Sequence, residues 1–180
     1  MLLQSLHITW IIFQLAVALI LLFPVISYCW WLLMPKNPAI KSQPIIAPDY
    51  GIIVTAYKYA GNLPNVIQSL LQQHYPHYMI YVVADNCDAE TQFPEHEKLV
   101  ILRPDPVLGN QIKSHFLAIQ SFKRPHNIVT IIDSDNLTHP AYLTGLNKWF
   151  NRGFKAVQGV RAAKNTNTEY ASLDAVNELY

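Results

Sequence analysis

The sequence predicts an α/β protein, a mostly parallel sheet with helices on both faces, preceded by one N-terminal transmembrane helix. Three observations predict it. Met1 to Pro35 contains no Asp, Glu, Lys or Arg. Beyond Asp49, short β-branched apolar runs alternate with stretches of helical period. Several of those runs stop at acidic residues, the clearest being Ile128-Val129-Thr130-Ile131-Ile132 followed by Asp133-Ser134-Asp135.

The first element is the membrane helix. Trp10 to Met34 is apolar for long enough to cross a hydrocarbon core of about 30 Å. A cleaved signal peptide calls for a basic leader, a shorter apolar core and a small-residue cleavage site; this stretch begins uncharged and ends in Tyr28, Trp30 and Trp31, an interfacial aromatic belt. Pro24 sits mid-span and is expected to kink the helix. The first basic residues, Lys36 and Lys41, follow the span, so the positive-inside rule places the remaining chain in the cytoplasm. Residues 1–35 therefore read as the membrane helix. Residues 36–48, carrying Pro38, Pro44 and Pro48, read as an extended Pro-rich tether, and residues 49–180 as one small globular domain.

Composition narrows the function. Lys and Arg number 13 against 12 Asp and Glu, a net charge of +1, and no basic face for nucleic acid is evident. The two cysteines, Cys29 in the span and Cys87 beyond it, offer neither a disulfide framework nor a Cys-x-x-Cys metal site.

Within the domain, Gly51 to Ala56 reads as a first strand, Asn62 to Gln73 as a helix with Leu63, Val66, Ile67, Leu70 and Leu71 on its apolar face, and Met79 to Ala84 as a second strand. Leu99 to Leu102 is expected as a third strand, Gln111 to Phe122 as a helix, Ile128 to Ile132 as a fourth strand and Pro140 to Phe150 as a helix. Lys155 to Gly159 is expected as a further strand, leading to a helix from Ser172. Such alternation implies right-handed βαβ crossovers and a parallel sheet.

Open sheets of this kind bind ligands at the C-terminal tips of their strands. Three tips then share one crevice: Thr55-Ala56-Tyr57, Asp85-Asn86-Cys87-Asp88 and Asp133-Ser134-Asp135. Two close carboxylates repel unless a cation lies between them, and hard oxygen ligands suit Mg²⁺ or Mn²⁺ carrying phosphate oxygens. Asp85 is placed to accept a hydrogen bond from a base or ribose, and Thr55 to Tyr57 to wall a nucleoside. Taken singly, each acidic tip reads equally as an Asx turn; it is their joint placement that points to a diphosphate ligand. Arg161 and Lys164 read by default as solvated charges, the alternatives being a place on the acceptor side or at the membrane surface.

With these motifs in order, the stretch from Asp49 to Tyr180 resembles the family 2 glycosyltransferases, nucleotide-sugar enzymes with a GT-A fold. The matching pieces are Ile53-Val54-Thr55-Ala56-Tyr57 for the first nucleotide-binding strand, Leu70 to Pro76 for the helix ending in a Tyr-Pro turn, and Val82 to Asp88 for the uridine-side acidic tip. Ile131 to Asn136 looks like the D-x-D strand, and Ala156-Val157-Gln158-Gly159 like the strand after it. Two departures stand out. Tyr57-Lys58-Tyr59-Ala60-Gly61-Asn62 replaces the usual Asn-acidic pair, and Gly109-Asn110-Gln111-Ile112-Lys113-Ser114 replaces the usual Gly-Lys-Gly segment, which aligns Lys113 with the family's diphosphate-neutralising lysine.

The resemblance implies inverting transfer of a sugar from a nucleoside diphosphate donor, a UDP-sugar above all, to a hydroxyl of a saccharide or lipid-linked acceptor in cell-envelope or polysaccharide synthesis. It implies Mg²⁺ or Mn²⁺ on Asp133 and Asp135, and donor contacts from Thr55, Ala56, Tyr57, Asp85, Asp88, Lys113 and Asp133. The catalytic base is expected beyond Tyr180, so that the chain reads as the anchor and donor half of an enzyme whose acceptor half lies outside it. The alternatives are a catalytically inactive membrane-anchored remnant and a sugar nucleotidyltransferase. The latter calls for a Gly-rich basic loop where Tyr57 to Asn62 offers one glycine and one lysine.

Overall fold

The computed structural model describes residues 2–34, 47–163 and 167–177. The chain divides into two units, Met1–Ile40 and Lys41–Tyr180. The first holds α1 (Leu2–Leu33), one helix that continues through Pro24 and whose described side chains are all exposed. Its stretch Gln4–Leu33 is long and apolar enough to cross a membrane. At 1.5 Å per residue it reaches about 45 Å, against a hydrocarbon core of about 30 Å. The tether and its lysines, Lys36 and Lys41, fall largely outside the described residues, as does Lys164.

The second unit runs β1 (Tyr50–Tyr57), α2 (Leu63–Leu71), β2 (Tyr78–Asp85), β3 (Leu99–Leu102), α3 (Gln111–Gln120), β4 (Ile128–Asp133), α4 (Tyr142–Phe150) and α5 (Glu169–Asn177). The strands form one sheet in the order β3-β2-β1-β4, every pair parallel. From β1 the chain steps outward to β2 and β3, then returns through α3 to lay β4 on the other side of β1. That reversal makes the tips of β1 and β4 a topological switch point, where such sheets open a crevice.

Period-two alternation sorts the sheet into two faces. Tyr50, Ile52, Val54 and Ala56 of β1 join Tyr78, Ile80 and Val82 of β2 in a core closed by Leu63, Val66, Ile67 and Leu70 of α2 and by Leu143 and Leu146 of α4. Ile53, Met79, Tyr81 and Val83 face the other way, against Ala118 of α3. Both faces are covered, which is why β1 and β2 read as nearly continuous apolar runs. α2 begins with Pro64 in its first turn, where the missing N–H costs nothing. Of its five apolar positions Leu63, Val66, Ile67 and Leu70 are fully buried, each stabilising the fold by about 2 kcal/mol relative to exposure, and Leu71 is partly buried.

One expected element does not form. Lys155 to Gly159 is irregular, with no ladder partner. A single valine among Lys, Ala, Gln and Gly has little preference for a pleated surface. The segment packs by side chains instead: Val157 lies against the first core, and a Cβ on Gly159 would come within 3.0 Å of the Tyr142 ring. The last helix starts at Glu169, earlier than Ser172.

Candidate functional site

The register fixes the site. Tyr57 stands opposite Asp85 and Thr55 opposite Asp133, so β1 and β2 end level and β4 stops two residues earlier, beside Thr55. Between them and the start of α3 lies a crevice of about 380 Å³, walled by Thr55, Ala56, Tyr57, Asp85, Asp133 and the Gly109–Gln111 turn, with Ser134 and Ser114 beside it. Thr55, Ala56, Tyr57, Asp85 and Asp133 are thus brought together. Asp88, Lys113 and Asp135 are not on this wall.

Asp85 is 2% exposed and already engaged. Its Oδ1 accepts the Leu108 N–H at 3.0 Å and its Oδ2 the Gly109 N–H at 2.7 Å. The carboxylate therefore pins the loop before α3 against the tip of β2. Gly109 has φ +56°, a left-handed conformation that favours glycine. Asn110 then caps α3, its Oδ1 accepting the Lys113 N–H at 3.1 Å. This chain of contacts aims the N-terminus of α3, with its unpaired N–H groups and positive dipole end, at the crevice. Lys113 sits exposed on the first turn of that helix.

Lys58 and Asn86, the residues just past β1 and β2, also have positive φ, +64° and +54°. For a lysine this is an uncommon conformation of the kind that gathers at functional sites. The Lys58 N–H donates to the Asp85 carbonyl at 3.1 Å, locking the two tips together. Asp88 is exposed and takes part through its carbonyl, which accepts from Arg103 at 3.0 Å.

At the third tip, Asp133 Oδ2 accepts from Asn136 Nδ2 at 3.2 Å and from Arg161 Nη2 at 3.1 Å. Arg161, read from sequence as a solvated charge, is thus a site residue; the irregular path of 154–163 carries it there, and no periodicity in the sequence signals that path. Asp135 lies past the end of β4 and lines a second hollow, of about 380 Å³, beside α2. Among the described residues no three His, Cys, Asp or Glu side chains cluster as a closed metal cage. Two aspartates suit a small hard cation of the Mg²⁺ or Mn²⁺ type in another way, since such ions take one or two carboxylates and complete their shell with waters and substrate phosphates.

Near the second tip, burial pushes the Cys87 thiol above its ordinary range, an effect that Arg103 partly offsets. The thiol is half-buried behind the Asp85 tip and donates to the Asp85 carbonyl at 3.6 Å.

A family model described as "Glycosyltransferase like family 2" matches residues 48–180. The chain belongs to that family, and its fold is the GT-A, Rossmann-like arrangement that the resemblance implies. Among solved structures, a mannosyltransferase from Pyrobaculum calidifontis, in complex with GDP-Man and Mn²⁺, aligns with a TM-score of 0.55 at 19% identity over 91% of this chain and 48% of its own. The S. aureus TarS fragment 1–349 aligns with a TM-score of 0.49 at 16% identity over 65% of this chain and 40% of its own. The chain thus spans less than half the length of either. A search of the curated proteins finds no significant match.

Proposed function

We propose that the chain holds a nucleoside diphosphate sugar at the tips of β1, β2 and β4, and that the sugar passes with inversion to a hydroxyl of a saccharide or lipid-linked acceptor in cell-envelope or polysaccharide synthesis. The observation that carries this reading is the crevice at the switch point, in a family 2 chain, with Asp133 on one side and the N-terminus of α3 on the other. In this reading Thr55, Ala56 and Tyr57 wall the nucleoside with Asp85 on the base side, the first turn of α3 faces the diphosphate, and Asp88 and Lys113, which lie off the crevice wall, would reach the donor from its rim.

Asp133 and Asp135 would hold Mg²⁺ or Mn²⁺, whose charge offsets that which grows on the leaving diphosphate. The mannosyltransferase in complex with GDP-Man and Mn²⁺ supports divalent metal use. A UDP-sugar is favoured by the resemblance of Val82 to Asp88 to a uridine-side tip, and the same relative's GDP-Man makes a GDP-sugar the necessary control. Inversion requires a separate general base on the acceptor side. α1 is read as a single-pass anchor with the domain on the cytoplasmic face.

Calorimetry of the full chain in detergent, with UDP and GDP in Mn²⁺, Mg²⁺ or chelator, tests the reading. Metal-dependent binding that is lost in Asp133→Ala and Asp135→Ala is expected. Identical binding with metal and with chelator would reject it.

A further inference from the structure

The second hollow is as large as the crevice and differs from it in chemistry. It lies between α2 and the chain after β4, on the far side of Asp133-Ser134-Asp135, with Asp135 on its rim. Asn62, Asn65, Gln68 and Gln72 recur at helical spacing along this face of α2 and are all exposed. From Asn62 to Gln73 there is no charged residue, whereas the solvated face of a surface helix ordinarily carries charges. Among the described residues, none of these four carboxamides has a side-chain hydrogen-bond partner, so each offers both a donor and an acceptor to the hollow. Leu137, half exposed on the opposite wall, adds an apolar surface.

That wall is fixed in place. Buried Gln73 donates from Nε2 to the His139 carbonyl at 2.9 Å and accepts the Leu143 N–H on Oε1 at 3.1 Å. The Thr138 N–H donates to Ser69 Oγ at 3.1 Å. The stretch from Thr138 to Leu143 is therefore clamped to the end of α2, and the hollow is a built feature and not a gap between loose loops.

We infer that this hollow is a binding subsite for a neutral saccharide, the hydroxyl-bearing acceptor of the transfer. Sugar hydroxyls donate and accept at once, as carboxamides do, and a sugar ring presents an apolar C–H face suited to Leu137. Among the described residues the lining carries the acidic Asp135 and no Lys, Arg or His to hold a phosphate or other anion. The assignment of the bound saccharide as acceptor rests on the function proposed above; the subsite itself does not.

The test uses saturation-transfer difference NMR on the full chain, held in a detergent without a sugar head group, with cellotetraose, maltotetraose, laminaritetraose and chitotetraose as probes. Transfer to at least one is expected. The double variant Asn65→Asp, Gln68→Glu keeps side-chain size, removes the donors and adds charge beside Asp135; it should weaken that binding about tenfold or more. The control is the neutral pair Asn65→Ala, Gln68→Ala, which removes both carboxamides without adding charge beside Asp135. In it saccharide binding should weaken as in the charged pair, and GDP and UDP binding with Mn²⁺ should stay within about twofold, since the substituted side chains are exposed and lie off the crevice wall. No transfer to any of the four probes, or binding that the double variant leaves unchanged, would overturn the subsite. Protection of Asn65 and Gln68 by a nucleotide sugar, with no free tetrasaccharide bound, would overturn the acceptor assignment. Saccharide binding that depends on Asn65 and Gln68 in a chain that binds neither nucleotide would uphold the subsite while removing the donor reading.

Discussion

Arg161 places a guanidinium nitrogen 3.1 Å from Oδ2 of Asp133, the same oxygen that accepts from Asn136 at 3.2 Å. The side chains are 54% and 45% exposed, so water screens the pair and it adds at most about 1 kcal/mol to stability. Its effect is local. A fixed positive charge on one aspartate of the Asp133-Ser134-Asp135 tip competes with any cation drawn to that tip. Arg161→Gln should therefore tighten binding of Mn²⁺ alone, by about two- to fivefold if the full 0.5–1 kcal/mol is recovered, with little change in Tm. Mn²⁺ titration followed by electron paramagnetic resonance reads this directly. Unchanged or weaker Mn²⁺ binding would show that the guanidinium does not compete.

Asp85→Asn probes the other side of the crevice. The carboxylate accepts two backbone N–H groups, on separate oxygens. An amide keeps one acceptor and turns an NH₂ towards the second N–H. Leaving one buried donor unsatisfied costs about 1–3 kcal/mol. Stability should fall by that amount, and hydrogen exchange at Leu108 and Gly109 should quicken more than exchange in the core of β2. Nucleotide affinity should fall with it, because the same loop sets the N-terminus of α3. A variant as stable as the parent, with unchanged exchange, would mean that the loop is held by something else.

Much of this was legible in the residues, for a definite reason. β1, β2 and β4 are buried or edge strands of β-branched residues, and their ends carry Thr55, Asp85 and Asp133, which the parallel register gathers at one edge of the sheet, Thr55 opposite Asp133 and Tyr57 opposite Asp85. What depends on irregular backbone was not legible. Asp133 and Asp135 read in sequence as one D-x-D tip, but β4 stops at Asp133 and the backbone after it puts the two aspartates on different hollows. Arg161 reaches Asp133 only because 154–163 does not form a strand. The engagement of Asp85 by Leu108 and Gly109 bridges more than twenty residues of chain with no periodic signal between. The cluster in which Asp49 binds both Arg124 and His126 joins residues still further apart.

That cluster gives the third prediction. His126 is hydrogen-bonded to Asp49 and, at 2.9 Å, to the Tyr81 hydroxyl, and its ring stacks edge-on against Phe122. Gly51 lies directly beneath: a Cβ there would sit 2.9 Å from His126 Cδ2 and 2.9 Å from Phe122 Cζ. Neither ring is free to give way. Gly51→Ala should destabilise the domain by about 1–3 kcal/mol, the usual cost of overpacking. Urea unfolding checks it. At nucleotide concentrations where the chain stays folded, affinity should hold, because Gly51 is at the opposite end of β1 from Thr55 and Tyr57. A neutral or stabilising substitution would show that the His126 and Phe122 rings shift at little cost.

The buried tyrosines set an alkaline limit. Burial raises the hydroxyls of Tyr50, Tyr75, Tyr78 and Tyr81 above the ordinary value of 10, in Tyr75 against a lowering by Asn147 and in Tyr81 against a lowering by the Lys123 N–H and Arg124. The sign follows from linkage. Below pH 10 these groups are protonated in both states and leave stability flat; above it the unfolded chain loses protons that the folded chain keeps, so stability falls as pH rises. Each contributes up to about 1.4 kcal/mol per pH unit until its own folded value is reached. Four such groups should unfold the domain cooperatively above pH 10, with tyrosinate absorbance from the buried rings appearing together with loss of circular dichroism. Tyr78→Phe, which removes one ionisable group and its 3.2 Å bond to the Leu71 carbonyl, should shallow the alkaline slope. Reversible ionisation of all ten tyrosines with the fold intact would contradict the burial of these four.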